Sequence, residues 1–182
     1  MEGNFGFFLL KCFYLMLPAY FANMAPVIVR KINFLAHPID FKKKFGKKPI
    51  LGKNKTFRGV FFGILFAIII VYIQFIFEQK GLFPNIYFFS YKNWILAGLL
   101  MGSGALIGDL VKSFFKRRIG IEPGSRWVPF DQTDFVIGAL FFSLFAFEIT
   151  FQIFAVCILL SFALHIVVNH IAFYTKIRKE KW

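Results

Sequence analysis

Acidic residues are scarce in this chain: nine Asp and Glu stand against 22 Lys and Arg, for a formal net charge of +13. Charged residues of either sign fill only 17% of the 182 positions. Cysteine is scarcer still. Cys12 and Cys157 both sit inside apolar runs, which excludes a disulfide framework and a thiolate metal site. The opening "MEGNFG" lacks a basic stretch and carries Glu2, so no cleaved signal peptide is expected. There is no internal repeat and no disordered linker.

Apolar residues take up the difference. They make up 58% of the chain, with 29 Phe, against roughly 45–50% in soluble domains. A soluble domain of this size has too little interior to hide that much apolar surface, so the excess must face lipid. The placement of the cations agrees. Ten of the Lys and Arg lie between Arg30 and Arg58, five between Lys112 and Arg126, and four in the tail from Lys176. This alternation with apolar runs is the pattern of a membrane protein obeying the positive-inside rule, and no nucleic-acid partner is expected.

A bilayer core takes ~20 apolar residues per spanning helix. Candidate spans fall at 5–29, 57–77, 93–111 (continuing as helix to 118), 133–150 and 151–174. The expected fold is an all-α integral membrane protein of about five transmembrane helices, with 1–182 as a single polytopic domain. Loops 30–56 and 112–132, the C-terminal tail and Arg58 at the mouth of span two share 19 cations, which makes that side cytoplasmic and puts the N-terminus outside. The first span is interrupted by Pro18, Asn23 and Pro26, and Lys11 within it is expected to snorkel outward. Spans four and five share one apolar stretch, with Glu148, Thr150 and Gln152 marking the turn. The run "KKKFGKK", 42–48, reads as a lipid-headgroup anchor.

Three acids break the pattern. Asp109 closes the apolar stretch of span three and shares a helix face with Ser113 and Lys116, at i+4 and i+7. An ionised acid at a membrane boundary is costly unless paired or metal-bound, and Lys112 or Lys116 could pair with it. "VPFDQTD" adds Asp131 and Asp134, whose i, i+3 spacing points both carboxylates the same way. Helix capping accounts for one of them, Asp131, but not for the second. The hairpin between spans three and four can return both to Asp109. Three carboxylates at one boundary repel unless a cation sits among them, and oxygen-only ligands suit Mg²⁺. "GKNKTFRG", 52–59, puts Lys53, Lys55, Thr56 and Arg58 at the mouth of span two, with Asn54 or Thr56 as its cap. Acids for a metal beside basic groups for phosphates are the parts of phosphoryl or nucleotidyl transfer. The GxxxG pairs Gly59/Gly63, Gly98/Gly102 and Gly104/Gly108 read as helix-packing sites. His165, Asn169 and His170 read as interfacial polar residues of span five.

"SFFKRRIGIEPGSRWVPFDQTD", 113–134, resembles the signature of the phosphatidate cytidylyltransferase (CDP-diacylglycerol synthase) family through Ser113, Lys116-Arg117, Pro129, Asp131 and Asp134. "KNKTFRG" is similar to an earlier segment of that family through Lys55, Thr56, Phe57 and Gly59. The chain departs from the bacterial pattern at Glu122-Pro123-Gly124, at "WVPF" and at Gln132, and in these it looks like the archaeal branch, the CDP-archaeol synthases. The resemblance implies transfer of CMP from CTP to an isoprenoid glycerol phosphate, with Mg²⁺ and the bilayer as partners. It implies metal binding and catalysis by Asp109, Asp131 and Asp134. It gives Lys55, Thr56, Arg58, Ser113, Lys116, Arg117 and Arg118 to the substrates. Two rival readings are a CTP-dependent polyprenol or dolichol kinase and an ion transporter built on Asp109. The oligomeric state stays open, a homodimer included.

Overall fold

The computed structural model describes residues 4–123 and 125–175; Gly124 and the basic tail from Lys176 lie outside the described residues. Helix α1 (Phe5–Ile28) begins at Asn4, whose side chain accepts from the Gly6 amide at 3.0 Å. It runs unbroken through Pro18 and Pro26. A proline lacks the N–H that would satisfy the carbonyl one turn earlier, here that of Tyr14. Gln74 on the neighbouring helix supplies the missing donor: its Nε2 lies 2.7 Å from the Tyr14 carbonyl oxygen, fully buried. Repair from an adjacent helix is how a spanning helix tolerates proline. Lys11 packs its ammonium 4.6 Å from the centre of the Phe88 ring, a cation–π contact.

The following segment departs from the all-helical expectation. Strands β1 (Lys44–Phe45) and β2 (Lys48–Pro49) pair antiparallel, turned by Gly46 at φ 64°. The "KKKFGKK" run is therefore a small hairpin. Helix α2 (Phe57–Gln79) follows, capped by Thr56 Oγ1, which accepts from the Gly59 amide at 3.2 Å. Helix α3 (Trp94–Arg118) continues past the apolar stretch into the basic cluster, as the sequence indicates.

Helix α4 covers Phe130–Ser143, where 133–150 was expected. It starts a turn earlier, so Asp131 and Asp134 both lie inside it; the cap position belongs to Pro129, not Asp131. It also stops earlier. Beyond Ser143 the backbone tightens into turns (Ala146 N to Ser143 O, 3.1 Å), and Phe147 stacks on Phe89 of the α2–α3 connector at 4.0 Å between ring centres. The connector captures the end of the apolar run, an interaction periodicity cannot report. Helix α5 (Phe151–Tyr174) is capped by Thr150, whose Oγ1 accepts from the Ile153 amide.

Among the described residues, four helices are long and apolar enough to cross a membrane: α1, α2, α3 and α5. At 14 residues α4 spans only about 21 Å. Its place is against α3. The core runs from Leu15, Met16, Ala19 and Ala22 of α1 through Met101 and Ala105 of α3 to Val136, Ala139 and Leu140 of α4 and Cys157 of α5. Burial of the apolar segments is 39% for α1 and α3, 22% for α2 and 17% for α5, so α2 and α5 form the outer, lipid-facing wall.

Candidate active site

The site is set by the closeness of α3 and α4. A Cβ on Gly104 would overlap the Gly138 carbonyl, and one on Gly108 would overlap the carbonyl of Asp134. With hydrogen in place of a methyl the backbones touch, and Asp109 is carried to the first turns of α4. The other glycine pairs seat other neighbours: Gly98 and Gly102 receive Ile68 and Ala67 of α2, while Gly59 meets Pro26 of α1.

The three acids do meet, around a lysine. Lys112 Nζ lies 3.1 Å from Asp109 Oδ1, 2.9 Å from Asp131 Oδ1 and 2.9 Å from Asp134 Oδ2. Two further lysines close the cluster. Lys55 donates to Asp109 Oδ2. Lys116 reaches both oxygens of Asp131 at 2.9 Å and the Ser125 carbonyl at 2.5 Å. Asp131 Oδ2 also accepts from the Trp127 amide at 2.6 Å, fixing the loop before α4. Asp134 Oδ2 is buried at ion-pair distance from Lys112 yet receives no hydrogen bond of acceptable geometry among the described residues. Three carboxylates and three ammonium groups balance in formal charge, which lets them persist at low exposure. Among the described residues, no three acid, histidine or cysteine side chains stand ready-made around an ion position. The donor chemistry is nevertheless that of a hard cation, three carboxylates and no sulfur or nitrogen ligand. Lys112 holds the centre.

Beside this cluster opens a cavity of about 530 Å³. Lys55, Lys112, Lys116, Arg117 and Arg126 contribute cations to its wall, and Ser113, Asn54 and Gln132 contribute neutral polar groups. Arg117 is 5% exposed, and its Nε and Nη1 find no acceptor among the described residues. A buried guanidinium with unused donors is a binding site for an anion with paired oxygens, such as phosphate. Of the three acids only Asp131 reaches the cavity wall. Asp109 lines a small recess behind Lys55, and Asp134 lies behind Lys112 on the side of an apolar groove.

The loop carrying Lys55 is held by Asp40. Its carboxylate accepts from the amides of Lys42 (3.0 Å), Leu51 (2.9 Å) and Gly52 (3.0 Å). Burial pushes this carboxyl up, but the three amides outweigh that and hold it below the usual carboxylate range.

Of the residues expected to hold substrate, Lys55, Ser113, Lys116 and Arg117 line this one cavity. Three other expected substrate residues are engaged in building the fold. Thr56 caps α2. Arg58 donates through Nη1 to the Ile32 carbonyl. Arg118 donates to the Phe45 and Pro49 carbonyls at 2.9 and 2.5 Å, and Lys48 returns a bond to the Arg118 carbonyl at 2.9 Å. Sequence reasoning did not assign Lys112, Asn54, Arg126 or Gln132 to the site, and it gave His165 and Asn169 a merely interfacial role; all six line the cavity. The i, i+4 spacing of His165 and Asn169 was the available signal, since it puts both on one face of α5.

The family model for CDP-archaeol synthase (CarS-like) matches residues 6–182. The CDP-archaeol synthase of Methanospirillum hungatei is 37% identical over 180 residues, which cover 92% of this chain and all of that protein. That of Archaeoglobus fulgidus is 33% identical over 184 residues, with 96% and 98% covered. Among solved structures, an intramembrane enzyme for archaeal membrane lipids biosynthesis matches with a TM-score of 0.70 and 28% identity, over 86% of this chain and 90% of that one. With a family match across nearly its whole length and relatives above 30% identity, the chain belongs to the CDP-archaeol synthase family.

Proposed function

We propose that this protein transfers CMP from CTP to an isoprenoid glycerol-phosphate lipid, 2,3-bis-O-geranylgeranyl-sn-glycerol 1-phosphate, giving a CDP-lipid and pyrophosphate. An oxygen of the lipid phosphate attacks the α-phosphorus of CTP, and the bond from that phosphorus to the pyrophosphate oxygen breaks. The observation that carries this reading is the cavity wall that sets the buried, unsatisfied Arg117 guanidinium beside Lys55, Lys116 and Asp131 at one end of an apolar bundle. A lipid phosphate is anionic near neutral pH, with a second pKa of about 6, so no general base is required. The work of the site is to hold two polyanions together and to offset charge on the leaving group.

Arg117 offers a fork to phosphate oxygens, Lys55 and Lys116 offer point charges, and Ser113 offers a hydroxyl. Asp109, Asp131 and Asp134 would hold Mg²⁺, which when bound supplies positive charge against the leaving pyrophosphate. An apolar groove of about 430 Å³, lined by Phe13, Leu17, Phe21 and Met24 of α1 and by Leu164 and Val168 of α5, meets the cavity at His165. It gives the isoprenoid tails a path from lipid to the phosphates. The cations gathered at this end of the bundle favour a site on the cytoplasmic face, and the N-terminus would then lie outside if the short α4 serves as a fifth crossing.

The test follows the label. Purified protein, Mg²⁺ and the lipid phosphate are incubated with α-³²P or γ-³²P CTP. The α-label is expected in lipid and the γ-label in pyrophosphate, with mass spectrometry showing the CDP-lipid. Transfer of the γ-label to lipid would make the protein a kinase and overturn the assignment.

A further inference from the structure

The centre of the acid cluster holds Lys112, a residue that no substrate or metal role covers. Three features define its position. Its ammonium lies within 3.1 Å of oxygens from Asp109, Asp131 and Asp134 at once. It borders both the 530 Å³ cavity and the apolar groove behind α3 and α4. Asp134 Oδ2, whose side chain is only 7% exposed, faces it at 2.9 Å without a hydrogen bond of acceptable geometry among the described residues. That contact is charge against charge, of the kind a spherical ion could equally satisfy.

We propose that Lys112 is an exchangeable internal counter-ion. In the metal-free protein its ammonium holds the three carboxylates together. When a divalent cation enters, Lys112 leaves the cluster and turns into the cavity, where its charge meets phosphate oxygens. This rests on the reading that the three acids take a divalent ion. The electrostatics favour the exchange. With Lys112 withdrawn and no metal in its place, three carboxylates would face only Lys55 and Lys116, and the net negative charge left in a poorly exposed site disfavours an open, empty cluster. A divalent ion replacing one ammonium leaves the cluster with one more positive charge, and the freed lysine adds another beside the cavity. Both changes favour an incoming polyanion. Metal and nucleotide binding are thereby coupled through one side chain with two places to sit. Lys55 and Lys116 stay in place in this scheme, each still paired to the outer oxygen of its own aspartate.

The test measures Mn²⁺ binding by electron paramagnetic resonance on the detergent-purified full chain, with thermal melting alongside and no substrate present. Lys112→Gln is neutral and of similar length. It is expected to bind Mn²⁺ on the order of tenfold more tightly than wild type, because no resident charge has to be displaced. It should also melt at lower temperature without metal and gain more from added Mn²⁺. A lysine with a purely structural role predicts the opposite, weaker Mn²⁺ binding in a loosened site. Lys112→Arg, purified in parallel, keeps the charge and grips carboxylates with a fork, and should bind Mn²⁺ more weakly than wild type. Equal or weaker binding by the Gln variant, or equal or tighter binding by the Arg variant, overturns the exchange while leaving the metal assignment intact. Absence of Mn²⁺ binding in all three proteins overturns both.

Discussion

Two basic stretches of similar composition have opposite fates in this fold. Residues 42–48 carry five lysines, all exposed on or beside the β-hairpin. Residues 112–118 carry Lys112, Lys116, Arg117 and Arg118, and there Lys116 and Arg117 are only 6% and 5% exposed. Charge count does not separate the two, but counter-charge does. The α3 stretch faces three aspartates and a cavity, whereas the hairpin faces outward with Asp40 turned inward on its backbone amides. A buried cation that is paired or poised for a ligand repays its desolvation; an exposed one has nothing to repay.

Substitutions can break or sharpen this contrast. The largest effect is expected at Asp131, the acid on the cavity wall. Asp131→Asn should lower CMP transfer by about 10²–10³-fold while the protein still inserts and purifies, read by α-³²P incorporation into lipid. Turnover near wild type would separate the acid cluster from the chemistry. Arg117→Lys keeps the charge but loses the fork, and should raise KM for CTP by about tenfold with a smaller change in kcat.

Asp40 lies between the two regions and should give an intermediate result. Asp40→Asn removes charge-assisted bonds to three amides and should cost about 1.5–3 kcal/mol, seen as a lower melting temperature. Its pH dependence has a definite sign. The folded carboxyl is held below its unfolded value of about 3.9, so its contribution is present above that pH and is lost as pH falls through the folded value. The difference in melting temperature between wild type and Asp40→Asn should therefore narrow below about pH 4. An unchanged gap would dissociate the loop's stability from this carboxylate. The smallest effect belongs to the hairpin surface: Lys43→Ala should leave transfer unchanged and stability within about 0.5 kcal/mol, and a large loss there would erase the contrast.

Much of this was legible in the chain itself. Apolar runs of ~20 residues located α1, α2, α3 and α5, and local spacing brought the acids together: i, i+3 in α4, and a glycine-lined α3 that lets α4 approach. What was not legible depends on contacts between distant residues. The apolar run continues past Ser143, so periodicity carried α4 to residue 150; its end is set by Phe147 finding Phe89. Lys112 is adjacent to Asp109 in helical terms and reads as a local ion pair. Its reach to Asp131 and Asp134 exists only once two backbones touch through glycine. Arg118 stands in a basic run with Lys116 and Arg117, but its guanidinium points to the hairpin carbonyls instead.

The bond from Gln74 to the carbonyl beneath Pro18 has a reach beyond its own neighbourhood. A donor that fits one notch only keys α1 to α2 like a tooth in a rack, so α1 cannot slide or roll by a residue without leaving both partners bare. Val27, at the other end of α1, helps line the cavity about 20 Å along the helix from Tyr14. A buried side-chain amide of α2 thereby sets where one wall of the cavity stands.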